Sequence, residues 1–260
     1  MLSSFLQRAA KKQPSSLRRL CGRYVQKGSE MRSVYIDTNV FKFSATELQR
    51  YVSRPVSLKW GELDIETEVH DVVTMNPNEG IINNERLKKE AGLLKIVAEM
   101  AKNGDISIVL HHETLLESWG IPNLDSQSGK FYNAPYELIE GPIRYSRTII
   151  HWNSDAKDDQ LNFLSSIPDK RFKELQKMTG AFQGEKPICR NQLLDAWYLW
   201  CAEHNKCDYF LTLDFKLKRM LEKNSKWSNV VKIVCPSELI EKEKHNKGLK
   251  WKLKLWWLSK

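Results

Sequence analysis

From Arg32 onward short apolar runs alternate with amphipathic stretches. Ser33–Ile36 reads S-V-Y-I and closes on Asp37, a strand-like run over 33–37, and Phe41–Tyr51 follows with helix-like spacing. The stretch Val56–Val73 alternates Leu63, Ile65, Thr67 and Val69 past Gly61, which predicts a hairpin inserted between the first strand and the next unit. Asn84 is placed to cap a helix over Glu85–Lys102, whose apolar stripe is Leu87, Ala91, Leu94, Val97, Ala98 and Ala101, and Asn103-Gly104 ends it. A strand over Ile106–Leu110 and a short helix over Glu113–Trp119 come next. From Gly120 to Cys189 only Ala156–Leu164 and Asp169–Met178 have helical patterning. Regularity returns with a helix over Asn191–His204, a strand over Asp208–Leu213, a helix over Phe215–Leu221, a strand over Val230–Val234 and a helix over Ser237–Lys244. Strands alternating with helices predict an α/β fold with a central, mainly parallel sheet covered on both faces, interrupted by the hairpin and by one long insertion.

Charge divides this pattern into three parts. Residues 1–30 carry seven Lys/Arg and one Glu, and residues 241–260 carry seven Lys and two Glu, so of the chain's net +9 only −2 is left for 31–240. The expected organisation is a basic N-terminal extension (1–30), a mildly acidic body (31–240) and a basic aromatic tail (241–260). The Ser- and Arg-rich extension has the composition of an organelle transit peptide, yet Met31 stands directly before the first strand, and a basic arm on a cytoplasmic protein is the favoured reading. In the tail Trp251, Leu253, Leu255 and Trp257 alternate with Lys252 and Lys254, which suits an edge strand docked by its apolar face. Contact with an RNA backbone or with an anionic membrane surface competes with docking. No apolar run reaches the length of a membrane span, and five cysteines without a C-x-x-C pair argue for a reduced setting.

The candidate chemistry is carboxylate chemistry. Asp37 and Asp214 close predicted strands, at the carboxyl ends where open α/β sheets bind ligands. Glu117 and Asp195 lie on helices between them, so four acids can face one crevice and bind a hard cation through oxygen. Taken singly, each acid has an ordinary explanation: Asp37 and Asp214 as helix caps, Asp195 as a partner of a helix dipole, Glu117 on a solvated face. His111-His112-Glu113 lacks the H-E-x-x-H spacing, and Glu113, one turn before Glu117, is a substitute for it. Arg190, Lys216 and Lys218 are near the acids in sequence and are candidates to grip phosphates. Trp119, Tyr132, Tyr136, Tyr145 and Trp152 alternate with Arg144, Arg147 and His151, a pattern equally suited to stacking unpaired bases and to core packing.

Three segments carry a family resemblance: VYIDTNV (34–40), ISIVLHHETLLE (106–117) and LLDAWYLWCAEHNKCDYFLTLDFKL (193–217). Together they resemble the PIN-domain nucleases, whose compact VapC-like toxin members are about 100–150 residues long. Segments 54–82 and 120–189 exceed that minimal domain. The resemblance implies a three-layer, Rossmann-like PIN fold and a metal-dependent ribonuclease with Mg²⁺ or Mn²⁺ at Asp37, Glu117, Asp195 and Asp214. Thr38, Asn39 and Thr212 would orient those carboxylates or the attacking water. It further implies RNA as substrate with 5′-phosphate products, and it brings homodimers and antitoxin partners into view. A haloacid-dehalogenase phosphatase would need a second Asp two residues after the first, where this chain has Asn39. The non-enzymatic alternative is a silent RNA-binding or assembly module. Four converging carboxylates count against it, since without a cation they repel one another.

Overall fold

The computed structural model describes residues 31–45, 48–61, 63–75, 84–119, 130–146, 154–182, 189–224, 227 and 231–247. The basic extension and the Trp/Lys alternation of the tail lie outside them, as do Arg147, His151 and Trp152.

The strand β1 (Arg32–Ile36) is the centre of the fold, because it is buried on both faces: Val34 and Ile36 pack into one apolar cluster and Tyr35 into another. On one side it pairs in parallel with β4 (Ile106–Leu110), in the register Val34 to Ile108. On the other side it pairs in parallel with β6 (Tyr209–Leu211), Val34 opposite Tyr209. β5 (Tyr136–Leu138) extends the sheet beyond β4 and β7 (Lys232–Val234) beyond β6, again in parallel. The order is β5-β4-β1-β6-β7. Chain progress therefore reverses direction between β1 and β6, which makes their carboxyl ends the topological switch point of a doubly wound sheet.

One face of the sheet is covered by α1 (Thr38–Ser44), α3 (Leu94–Lys102) and α9 (Pro236–Lys247), which contribute Val40, Leu94, Val97 and Leu239 to the cluster around Val34. The other face is covered by α5 (Ser154–Ser166), α6 (Lys170–Thr179), α7 (Arg190–His204) and α8 (Phe215–Glu222). The result is three layers. α7 is buried around most of its circumference, from Leu193 to Ala202, and Trp197 is its hub. The Trp197 ring meets His111 at 5.4 Å, Trp200 at 5.6 Å and Phe172 at 5.7 Å between centroids, all edge-on.

Several elements depart from the sequence pattern. The helix expected over Phe41–Tyr51 spans Thr38–Ser44: the Ser44 hydroxyl turns back to the Phe41 carbonyl (2.9 Å), Ala45 is extended, and Tyr51 belongs to a strand. That strand, β2 (Leu48–Trp60), and β3 (Leu63–Met75) form a hairpin longer than expected, paired from Leu48–Met75 to Trp60–Leu63 as a separate two-stranded sheet. Asn84 does cap the next helix, accepting from the Leu87 amide (3.2 Å), but the helix breaks at Leu93 into α2 (Glu85–Gly92) and α3. The break follows Gly92, the weakest helix former in the run. β5 carried no pattern, because all three of its residues are exposed. The helix α9 passes residue 240 and buries Glu243, so the ordered body extends beyond the point where the basic tail was expected to begin. Among the described residues no helix is long and apolar enough to cross a membrane.

Because Trp197 is fully buried at the meeting of several rings, Trp197→Ala is expected to cost about 3–5 kcal/mol. Equilibrium unfolding in urea measures it. A loss below about 1 kcal/mol would mean that this cluster is not the packing centre of its face.

Candidate functional site

Asp37, Thr38, Asn39, Lys42, Glu117, Lys157, Arg190, Asn191, Asp195 and Asp214 line one cleft of about 360 Å³. It lies at the switch point. Asp37 follows β1, and its amide continues the ladder to the Leu211 carbonyl of β6 (3.0 Å). Asp214 stands three residues beyond the end of β6, Glu117 on α4 (His112–Trp119) and Asp195 on α7. The four acids picked out in the sequence thus face one space.

Side-chain hydrogen bonds stitch the two strand ends together. The Thr212 hydroxyl donates to Asp37 Oδ2 (2.7 Å) and accepts from the Asp214 amide (2.9 Å) and from Asn39 Nδ2 (3.4 Å). Asn39 Oδ1 in turn accepts from the Leu213 amide (3.2 Å). On the other flank the Thr38 hydroxyl lies 2.8 Å from Glu117 Oε2 and 3.3 Å from Asp37 Oδ1, and the Tyr198 hydroxyl donates to the same Glu117 oxygen (2.6 Å). Thr38, Asn39 and Thr212 therefore hold carboxylates in place. Tyr198 joins them; it was not singled out in the sequence, although it sits one helical turn after Asp195.

The simple explanations of the acids now separate. Asp37 occupies the N-cap position of α1 but makes no side-chain cap bond. Asp214 does cap α8, one oxygen accepting from the Lys216 (2.8 Å) and Leu217 (2.9 Å) amides, and its other oxygen accepts nothing among the described residues. Asp195 lies beyond the first turn of α7, away from the dipole's positive end, and none of the described residues donates to it. Helix formation alone explains only Asp214.

Burial pushes the Asp37 carboxyl up from 3.8 to about 6, with the Thr212 bond opposing and the Glu117 and Asp214 charges adding to the rise. Asp195 is raised well above the carboxylate range, first by burial and then by Asp37, Asp214 and Glu117. These charges feel one another across the cleft. As they stand, however, no three Asp, Glu, His or Cys side chains among the described residues form a group that would hold a metal ion. The expected common centre is not assembled among the described residues: Glu117 is held by Thr38 and Tyr198, and Asp214 by the first amides of α8. In kind the donors fit a hard cation, for the acids lining the cleft are carboxylates and no His or Cys is among the described residues that line it.

Other expected participants are placed differently. Glu113 is buried, its oxygens taken by Tyr145 (2.7 Å) and Gln160 (2.5 Å), and it faces a neighbouring cavity instead of the cleft. It does not stand in for Glu117. Lys218 is turned inward, paired with Glu222 and with Glu238 (3.1 Å) and bonded to the Ile233 carbonyl (3.3 Å), so it is spent on packing α8 against α9. Lys216 is exposed and is not among the described residues lining the cleft. Of the three basic candidates only Arg190 lines it, joined by Lys42 and Lys157. Lys42 was legible as the residue one turn after Thr38; Lys157, from the insertion, carried no signal. Tyr145 packs on Phe163 at 4.5 Å, which makes it a wall rather than an open stacking platform.

Compared with family models, with curated proteins and with solved structures, the chain matches none.

The raised Asp37 carboxyl links stability to pH. Between 3.8 and about 6 the folded protein keeps a proton that the unfolded chain releases, so stability is greatest below 3.8 and falls as pH rises through about 6. In cation-free buffer Asp37→Asn should therefore gain about 2–3 kcal/mol at pH 8 and little at pH 3.5. Unfolding curves at the two pH values test this. A variant less stable than its parent at pH 8 would show that the Thr212 bond outweighs desolvation.

Proposed function

We propose that the protein is a Mg²⁺- or Mn²⁺-dependent ribonuclease of the PIN type, hydrolysing RNA phosphodiesters in the cleft between the ends of β1 and β6. One observation carries the proposal: four acids face a single cleft whose other charged residues are Lys42, Lys157 and Arg190. Neutral structural packing has no use for such a combination, since burying these carboxylates lowers stability.

In this reading Asp37, Glu117, Asp195 and Asp214 would hold the cation. When bound, it supplies Lewis-acid stabilisation of the charge that builds on the phosphate and lowers the pKa of water. The protein's own residues set the geometry. Thr212 fixes Asp37, and Thr38 with Tyr198 fixes Glu117, so two acids enter the reaction pre-oriented. Lys42, Lys157 and Arg190 offer donors to the phosphates on either side of the scissile one. Water attacks phosphorus, the bond to the 3′ oxygen breaks, that oxygen takes a proton, and the phosphate remains on the 5′ end of the product.

The absence of a ready-made metal group among the described residues favours a second reading, a PIN-like module that binds RNA without cutting it. Two variants separate the readings. Asp37→Asn should keep the fold and abolish Mn²⁺-dependent cleavage of single-stranded RNA, while Tyr198→Phe, which deprives Glu117 of a donor, should lower the rate by roughly ten- to a hundredfold. Gel assays of purified parent and variants measure both. Equal cutting by parent and Asp37→Asn would remove the nuclease reading, and no cutting by the parent with intact RNA binding would establish the silent module.

A further inference from the structure

The carboxylate cleft is not the larger cavity at this end of the sheet. Just past the carboxyl ends of β4 and β5 lies a cavity of about 730 Å³, twice the size of the cleft and within the usual range of small-ligand pockets. Its walls are aliphatic (Leu116, Leu138, Ile139, Ile143), with the rings of His111 and Tyr145 set among them. Glu140, Arg144 and Ser146 bring polar groups to the rim, and all three are exposed.

The cavity and the cleft are built from shared parts. α4 carries Glu113 on the cavity and Glu117 on the cleft, about 6 Å apart along the helix. The Tyr198 hydroxyl touches both residues, at Glu117 Oε2 (2.6 Å) and at the Glu113 carbonyl (3.3 Å). A second line of hydrogen bonds runs from the Tyr145 hydroxyl to Glu113, on to Gln160 and then to Arg190, which lines the cleft. His111 is fixed as well: its Nδ1 accepts from the Glu113 amide (3.1 Å) and from Trp197 Nε1 (3.3 Å), which leaves the proton on Nε2. That nitrogen sits against Gly141, where a Cβ would come within 2.9 Å of it. These walls are held before any ligand arrives.

We propose that this cavity receives a nucleobase of the strand whose phosphate lies in the carboxylate cleft, making it the site of base preference. The inference rests on the nuclease reading for its strand but on the cavity for its chemistry. Flat aliphatic walls with His and Tyr rings suit a planar heterocycle, and single-stranded RNA is recognised by splaying out bases into such surroundings. The Glu140 carboxylate at the rim only accepts hydrogen bonds, so it favours the exocyclic amino group of adenine, cytosine or guanine over uracil, whose single N3–H lies between two carbonyl oxygens that a carboxylate repels. A neighbouring nucleotide of a strand gripped at Glu117 reaches this space along α4. Occupancy bears on Arg190 through Glu113 and Gln160.

The test uses the full chain without metal and reads binding, not cleavage. Calorimetric titration with AMP, GMP, CMP, UMP and ribose 5-phosphate should give at least one amino-bearing nucleotide a Kd about tenfold below that of ribose 5-phosphate, the low end of what base stacking contributes. UMP should bind more weakly than that nucleotide, because stacking is common to every base and only the contact with Glu140 separates them. Leu138→Trp, at an exposed position on the wall, should fill the cavity and erase the difference without changing the melting temperature. If that variant melts early, Ser146→Trp on the exposed rim takes its place. Nucleotides that bind no tighter than ribose 5-phosphate, or tight binding that survives the blocking variant, would overturn the proposal. Base binding that persists in a protein unable to cut RNA would remove the nuclease reading alone, and RNA cutting with no base binding would remove the cavity's role alone.

Discussion

The hydrogen bond from Thr212 to Asp37 is the joint on which the arrangement turns. It ties the residue that ends β1 to the residue that follows β6, across the one place where a doubly wound sheet leaves a gap. Without it the buried Asp37 carboxylate would lose the shorter of its two side-chain bonds, the one that offsets its desolvation most, and the strand ends would lose a cross-link. Asn39 doubles the joint by bridging Thr212 and the Leu213 amide. A lattice of three short polar side chains, Asp37, Asn39 and Thr212, thus spans the ends of the two strands.

Much of this was legible in the sequence because it depends on local patterning. The apolar runs Val34–Ile36 before Asp37 and Ile108–Leu110 in β4 predict strands, and the spacing over Asn191–His204 predicts the helix that becomes α7. The acids could be placed because each sits at a fixed offset from such an element. What the pattern could not give was determined elsewhere. β5 is a strand only because β4 offers an open edge to an exposed tripeptide. α2 and α3 form one amphipathic stripe in sequence and two helices in space, because the turn at Gly92–Leu93 is set by what the segments pack against. Edge pairing and helix breaks of this kind are tertiary decisions.

The same distinction explains the basic residues. Nearness in sequence favoured Lys216 and Lys218, yet a helix turns successive side chains by about 100°, so neighbours of an acid seldom share its direction. Lys218 points to Glu222 within α8 and to Glu238, the ion pair that fastens α8 to α9. Of the cations that do line the cleft, nearness in sequence pointed to Arg190 alone; Lys42 comes from one turn after Thr38 and Lys157 from an insertion with no motif. Glu113 and Glu117 teach the converse. One turn apart, they share a helix face, but Tyr198 divides that face into two compartments.

The unfavourable burial of Asp37 and Asp195 also bears on how such a sequence persists. Both carboxyls are raised by desolvation, so both oppose folding at neutral pH in the cation-free protein. Random substitution at most buried positions is uphill for stability, but at these two a neutral residue of similar shape is downhill. An idle copy of this chain would therefore be expected to lose its acids early, since drift and selection for stability push the same way there. Folding stability alone therefore gives no reason for Asp37 and Asp195, whereas Asp214 has one in its cap on α8.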